Sequence, residues 1–201
     1  MVRFYHGTKA ELKCVRGKCE DTPVTITTQV YSDDTIPQNL TWQALSFLRC
    51  EWPFLFTGTN RLRTRPVGGR GTTCVVQADG EVLLSYAEVL RLTAVRAGEP
   101  ARVLGLSNVF TFPPYRREGH ASAIMRAVAD IINDSDGVLA ILFCEEELAP
   151  FYGARGWQVA PAGSIQAPGT APRTMACAGP ALGTRLDTWL AAAPLVLDAR
   201  W

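Results

Sequence analysis

Apolar residues follow three patterns along this chain, and each predicts a different element. Ala121, Ile124, Met125, Val128, Ala129 and Ile132 fall three or four apart. That spacing makes one stripe of an amphipathic helix, which Asn133-Asp134-Ser135-Asp136-Gly137 ends. Val138 to Phe143 (VLAILF) is apolar without a break, as expected of a strand covered on both faces. Between 85 and 90 the chain alternates, with Ser85, Ala87 and Val89 on one face and Tyr86, Glu88 and Leu90 on the other, the period of a strand.

Turn residues join these patterns. Thr72 to Gln77 and Glu81 to Val95 flank Ala78-Asp79-Gly80 and predict neighbouring antiparallel strands. A turn at Gly98-Glu99-Pro100 leads into a third strand, Arg102 to Phe112, which Pro113-Pro114 stops. Glu145 to Tyr152 predicts a short helix, and Gly153 to Gly156 a turn. Upstream, Thr41 to Cys50 reads as a helix capped by Thr41, with Trp42, Leu45 and Leu48 on its inner stripe. Val2 to Tyr5 could form a short strand. Val24, Ile26, Thr28 and Val30 alternate, but Asp21-Thr22-Pro23 is a helix-start signal, so this stretch is read as helix. Gly163 to Gly183 is expected to be an irregular loop or weak strand, and the tail ending in LVLDARW to contain a strand-like portion. Neither a repeat nor a linker divides residues 1–201, so one domain is expected.

Composition narrows the function classes. The 201 residues are 47% hydrophobic and 19% charged, with a formal net charge of +1. That balance gives no global electrostatic case for nucleic acid or membrane, so the electrostatic complement of any charged partner must be local. No segment is long and apolar enough to span a bilayer, and MVRFYHGTKAELK lacks a signal-peptide core; a cytoplasmic location is expected. Six scattered cysteines (Cys14, Cys19, Cys50, Cys74, Cys144, Cys177) are expected to be reduced thiols. Cys14 and Cys19 have no second ligand pair at zinc-site spacing, so no metal is expected.

Chemistry concentrates at Arg116-Arg117-Glu118-Gly119-His120-Ala121-Ser122. It follows a strand and opens a helix, where free N–H groups and the helix dipole favour an anion such as a pyrophosphate. Small residues at 119 and 121 let the backbone approach, and Arg116 and Arg117 add charge. The spacing is neither a dinucleotide fingerprint nor a P-loop. Read on its own, Arg116 to Ala121 is equally a strand-to-helix turn with arginines for solubility.

Two motifs together identify a resemblance. Arg116-x-x-Gly119-x-Ala121 is similar to the Gln/Arg-x-x-Gly-x-Gly/Ala motif of the GNAT superfamily of N-acetyltransferases, and Phe151-Tyr152-Gly153-Ala154-Arg155-Gly156-Trp157 resembles that superfamily's Phe-Tyr-x-x-x-Gly-Phe signature. Their order and the helix–strand–helix between them also fit, over about Gly80 to Trp157. The resemblance implies an α+β fold: a mixed, mostly antiparallel central sheet flanked by helices, with a splayed strand pair that binds acetyl-CoA as co-substrate. It places Val109, Phe110 and Thr111 against the pantetheine arm, with the N–H of Val109 or Phe110 as oxyanion donor. The 116–122 turn takes the pyrophosphate, and Tyr152 becomes the proton donor to the departing thiolate. A homodimer is common in the superfamily and is allowed here.

A narrower resemblance is to the aminoglycoside 2′-N-acetyltransferases. Ser32-Asp33-Asp34 ahead of a helix with Trp42, Arg155-Gly156-Trp157, Ala167-Pro168, Pro172-Arg173-Thr174 and the terminal Trp201 resemble that layout. It implies a cationic amino-sugar acceptor, antibiotic resistance, and Asp33, Asp34, Trp42, Tyr86, Glu88, Ser107, Asn108 and Trp201 as substrate-side residues. The enzymes of that class acting on deoxystreptamine drugs carry a glutamate where this chain has Ser107 or Asn108. That departure is compatible with another amino sugar, such as kasugamycin, which a second class acetylates. Asp33, Asp34, Glu88 and the Trp201 carboxylate are the candidate bases, although a solvated strand face is the plainer reading of Glu88. Cys144 is read as a small core residue, and Glu145-Glu146-Glu147 as a helix start. Two alternatives remain: acetylation of a peptide or small amine, or a non-catalytic acyl-CoA-binding module.

Overall fold

The computed structural model describes residues 26–66, 71–169 and 173–198. Its centre is a nine-stranded sheet. The first strands are β1 (Ile26–Ser32), β2 (Thr73–Asp79), β3 (Val82–Arg96), β4 (Glu99–Thr111) and β5 (Leu139–Cys144), followed by β6 (Gln158–Val159), β7 (Ile165–Gln166), β8 (Arg173–Ala178) and β9 (Leu195–Val196). The main order is β1-β2-β3-β4-β5-β8-β6, and β9 pairs with both β3 and β7. Pairs along the main order are antiparallel except β4 with β5.

The helices are α1 (Gln38–Glu51), α2 (His120–Asn133), α3 (Ala149–Gly153) and α4 (Leu186–Ala192). The α2 stripe is the predicted one without Ala129, which is exposed: Ile124, Met125, Val128 and Ile132 are buried against Val75, Ala87, Val89, Leu104 and Leu106, and Ala121 is half-buried. On the opposite face α1 packs Leu40, Ala44, Phe47 and Leu48 against Val76, Leu83, Tyr86 and Phe110. A third cluster joins Leu182, Leu186 and Leu190 to Leu139, Ile141 and Leu195.

The β2–β3 and β3–β4 hairpins form, but their turns are tighter than expected: Ala78 and Asp79 belong to β2, and Glu99 and Pro100 to β4. The second turns through Ala97 and Gly98, both at positive φ (52° and 85°), the geometry that suits the twist of a two-residue hairpin. Residues 26–32 are strand, not helix. β1 pairs with β2 over seven positions, Ile26↔Asp79 to Ser32↔Thr73, so an available sheet edge and the β-branched alternation outweigh the helix-start signal; Asp21-Thr22-Pro23 itself lies outside the described residues, as does Val2 to Tyr5. The α1 helix begins at Gln38 behind Pro37, which leaves Thr41 inside the first turn with its Oγ1 donating to the Pro37 carbonyl (3.3 Å). Trp42 is 48% exposed and lies off the inner stripe, which runs through Leu40, Ala44 and Leu48 instead.

Residues 163–183, expected to be an irregular loop or weak strand, contain a six-residue strand. β8 pairs with β5 over six positions, and Gly179 follows it at a point where a Cβ would stand 2.2 Å from the Gly137 carbonyl oxygen. A glycine there lets the two chains pass. No helix among the described residues is long and apolar enough to cross a membrane.

Candidate active site

Two irregularities in β4 create the site. First, β4 and β5 pair only from Val103↔Leu139 to Leu106↔Leu142, so Ser107 to Thr111 run on without a β5 partner. Second, the β3–β4 register shifts between Tyr86↔Phe110 and Glu88↔Ser107. One β3 residue, Ala87, then faces two on β4, Asn108 and Val109, which is a β-bulge. Asn108 sits in the left-handed region (φ 50°), which asparagine tolerates better than most residues. The bulge bends β4 where pairing with β5 stops.

Backbone direction beyond the bulge separates two candidate donors. The Phe112 N–H bonds the Leu84 carbonyl (3.0 Å), so by strand alternation Phe110 also turns its backbone towards β3. The Phe110 carbonyl accepts from Ser85 Oγ (2.7 Å), and its ring stacks on Phe47 (4.2 Å, 16°). Val109 and Thr111 therefore direct their N–H and C=O groups to the open β5 side. Phe110, itself 6% exposed, borders the cavity along this edge but turns its N–H to β3, so Val109 holds the N–H available in the cleft.

A cavity of about 370 Å³ lies along this edge, lined by Val109, Thr111, Arg116, Gly119, Ser122 and Tyr152 among others. The start of α2 forms one wall. Gly119 caps the helix at φ 89° with open space where a Cβ would be, Arg117 before it is also left-handed (φ 70°), and no side chain caps the helix. The first-turn N–H groups have no intrahelical acceptor, and a turn with left-handed residues at 117 and 119 suits an anion-binding concavity. These residues fit a pyrophosphate.

The side chains of the turn behave less uniformly. Arg116 Nε donates to the Thr111 carbonyl (3.0 Å), which fastens the turn to β4. His120 is buried, with Nδ1 2.7 Å from Gln77 Oε1 and Nε2 3.2 Å from Glu118 Oε2. The His120 ring and the Glu118 carboxylate thus bond each other and the sheet, so these two residues offer an anion their backbone rather than their side chains. Ala121 and Ser122 line the cavity as expected.

Tyr152 is buried on α3 between Phe151 (5.1 Å, edge-to-face) and Trp157 (6.4 Å). Burial pushes its phenol well above the ordinary tyrosine value; the nearby Cys144 adds to the rise and Arg155 opposes it. It remains protonated throughout the neutral range.

A second cavity, about 340 Å³, lies on the α1 face. Asp33, Asp34, Trp42, Tyr86 and Glu88 all line it, with Arg65. Glu88 is 1% exposed, so it is not on a solvated strand face. Its carboxylate accepts the Tyr86 hydroxyl (2.6 Å) and Asn108 Nδ2 (3.1 Å). Bonds of this charge-assisted kind contribute about 1.5–3 kcal/mol each, against the cost of desolvating a carboxylate. Burial, then the charge of Glu88, raise Tyr86 well above an ordinary phenol. Tyr86 also bonds Cys74 Sγ (3.3 Å), whose thiol burial pushes up to about 11. At the rim, Asp33 pairs with Arg65 (3.3 Å), and the Ser32 hydroxyl on Asp34 (2.5 Å) holds its carboxyl below the usual range.

Ser107 lies elsewhere, in a cavity of about 240 Å³ at the open end of the β4–β5 pair, with Asn108, Cys144, Glu145 and Tyr152. Asn108 therefore links that cleft to Glu88. Trp201 lies outside the described residues. Sequence reasoning missed Gln77, Asn108 as a partner of Glu88, and Arg155 as a contact of α2; only Asn at a strand break gave any prior signal.

The acetyltransferase (GNAT) domain model matches residues 29–160, most of the chain. The chain belongs to the GNAT family. It is an acetyl-CoA-dependent N-acetyltransferase, and the α+β sheet with its splayed β4–β5 pair is the GNAT fold. No match is found among curated proteins. Among solved structures, Escherichia coli ElaA aligns at TM-score 0.56 and 13% identity, over 76% of this chain and 99% of ElaA. Escherichia coli YhbS in complex with CoA aligns at 0.54 and 14%, over 89% and 92%. An aminoglycoside 6′-N-acetyltransferase complexed with coenzyme A aligns at 0.57 and 11%, over 75% and 96%. At these identities the likeness is one of fold.

Proposed function

We propose that this GNAT enzyme acetylates an amino group of a cationic amino sugar of the aminoglycoside type, at a 2′-amine or on a kasugamycin-like ring, and so confers antibiotic resistance. One observation carries the reading: Asp33, Asp34 and Glu88, from segments far apart in sequence, line one cavity with Trp42 and Tyr86. Three carboxylates against Arg65 leave a net charge of −2 (3 acids − 1 base) on the described lining. Trp42, half exposed at its mouth, offers a face for a sugar ring.

The residues then divide the work. Asp33 and Asp34 attract and orient the ammonium groups at the rim. Glu88 accepts the proton that the amine must lose before it attacks, and Tyr86 and Asn108 hold its carboxylate in place. The Val109 N–H donates to the thioester carbonyl oxygen as negative charge builds there. The new C–N bond forms as the C–S bond breaks, Tyr152 gives its proton to the leaving thiolate, and the second proton that the nitrogen sheds as the amide forms restores the Tyr152 phenol. Acetylation turns a cation into a neutral amide, which leaves an acidic cavity readily.

The test is free thiol release from acetyl-CoA with kasugamycin, gentamicin and tobramycin, beside peptide and polyamine acceptors. Turnover confined to amino sugars is expected. Turnover with peptides or polyamines alone would overturn the acceptor assignment and leave the acetyl-CoA chemistry intact.

A further inference from the structure

Arg155 closes a contact between the two GNAT motifs. Its Nη2 donates to Ser122 Oγ (2.6 Å), in the first turn of α2, and its Nη1 donates to the Phe151 carbonyl (2.5 Å) on α3. The guanidinium lies over the Phe151 ring, 3.8 Å from its centroid, and that ring meets Tyr152 edge-on at 5.1 Å. The Arg155 N–H also bonds the Tyr152 carbonyl (2.9 Å). One half-buried side chain thus touches the anion-binding turn, the helix that carries Tyr152, and the aromatic beside it.

We propose that Arg155 is a positioning residue that couples the pyrophosphate grip to the placement of Tyr152. Ser122 Oγ accepts from a cation, which leaves its own proton for a partner in the cavity that it lines. A hydroxyl has one proton and two acceptor lone pairs; Arg155 fills an acceptor position and leaves the donor for a phosphate oxygen. The same guanidinium holds α3 through a backbone carbonyl and a stacked ring. Its planar fork suits this triple contact, which a lysine ammonium cannot reproduce. An anion seated at α2 therefore tightens the link that holds Tyr152 at the thioester. The inference depends on acetyl-CoA binding alone and is independent of the acceptor.

Calorimetry with acetyl-CoA on Ser122→Ala, Arg155→Ala, Arg155→Lys and the double Ala variant tests it. Arg155→Ala should weaken binding about tenfold and Ser122→Ala about threefold, in line with lost charge-assisted bonds. The double variant should bind no worse than Arg155→Ala, because without the arginine the serine hydroxyl is no longer held to donate to the phosphate. Arg155→Lys should recover less than half of the loss on a logarithmic scale. Thermal melts should show an unliganded midpoint close to wild type and a smaller upward shift with acetyl-CoA. Additive losses would overturn the proposal and put Arg155 in independent contact with ligand. A lowered unliganded midpoint with a full ligand shift would overturn it in favour of a role in folding alone. If Arg155→Ala does not fold, Ser122→Ala in wild-type and Arg155→Lys backgrounds supplies the cycle: an undiminished serine effect beside lysine contradicts the coupling.

Discussion

The two halves of this active site are built from different materials. The proposed acetyl-CoA side is mainly backbone: N–H groups at the start of α2, the free edge of β4 beyond Leu106, and a left-handed Gly119. The proposed acceptor side is mainly side chains: Glu88 buried beneath Tyr86 and Asn108, with Asp33 and Asp34 at the rim. A backbone site depends on local conformation and leaves a short contiguous signature. A side-chain site depends on which strands become neighbours and leaves almost none.

The largest test of that division is Tyr152→Phe, the one side chain on which the donor half depends for chemistry. Loss of a positioned general acid should lower kcat by about 100-fold, with the acetyl-CoA dissociation constant unchanged by calorimetry. Equal kcat would remove the tyrosine from the mechanism and leave the donor side wholly backbone. Arg116→Ala comes next. Its guanidinium is fixed to the Thr111 carbonyl, so its loss should weaken acetyl-CoA binding about tenfold and make affinity less sensitive to salt. Unchanged affinity would mean that the backbone suffices.

The smallest test probes how dry the acceptor floor is. Burial raises the Cys74 thiol from 9.0 to about 11. A group with a raised folded pKa keeps its full contribution below the unfolded value and loses it as pH rises through the folded one. Stability should therefore fall between about pH 9 and 11, and Cys74→Ala should flatten that fall by about 1 kcal/mol at pH 10 in urea titrations. A slope identical to wild type would show a wet floor and weaken the contrast with the donor side.

The same division explains what was legible in the sequence. RREGHA and FYGARGW named the family because each is a run of neighbours. The α2 stripe, the two hairpins and the buried β5 were equally readable, since their periods are local. The 26–32 segment was misread as helix because its partner, β2, lies more than forty residues away. Trp42 satisfied a helical spacing yet faces solvent, since the sheet meets α1 through Leu40, Ala44 and Leu48. Glu88 looked like a surface acid until Asn108 was brought across the β3–β4 pair by the bulge. Val109 and Phe110 were equivalent on paper, and only strand direction separates them.

That bulge has one more meaning. The cleft exists as a gap in a hydrogen-bond ladder, held open because β4 carries one residue more than β3 across Ala87. A chain lacking Asn108 would keep both family motifs and return β4 to unbroken register with β3. The straightened strand would be free to zip onto β5, and the slot would become ordinary sheet. Loss of coenzyme binding with every signature residue still in place would be its mark. In this sense the enzyme's capacity to take a coenzyme is encoded as a length, and not only as a set of side chains.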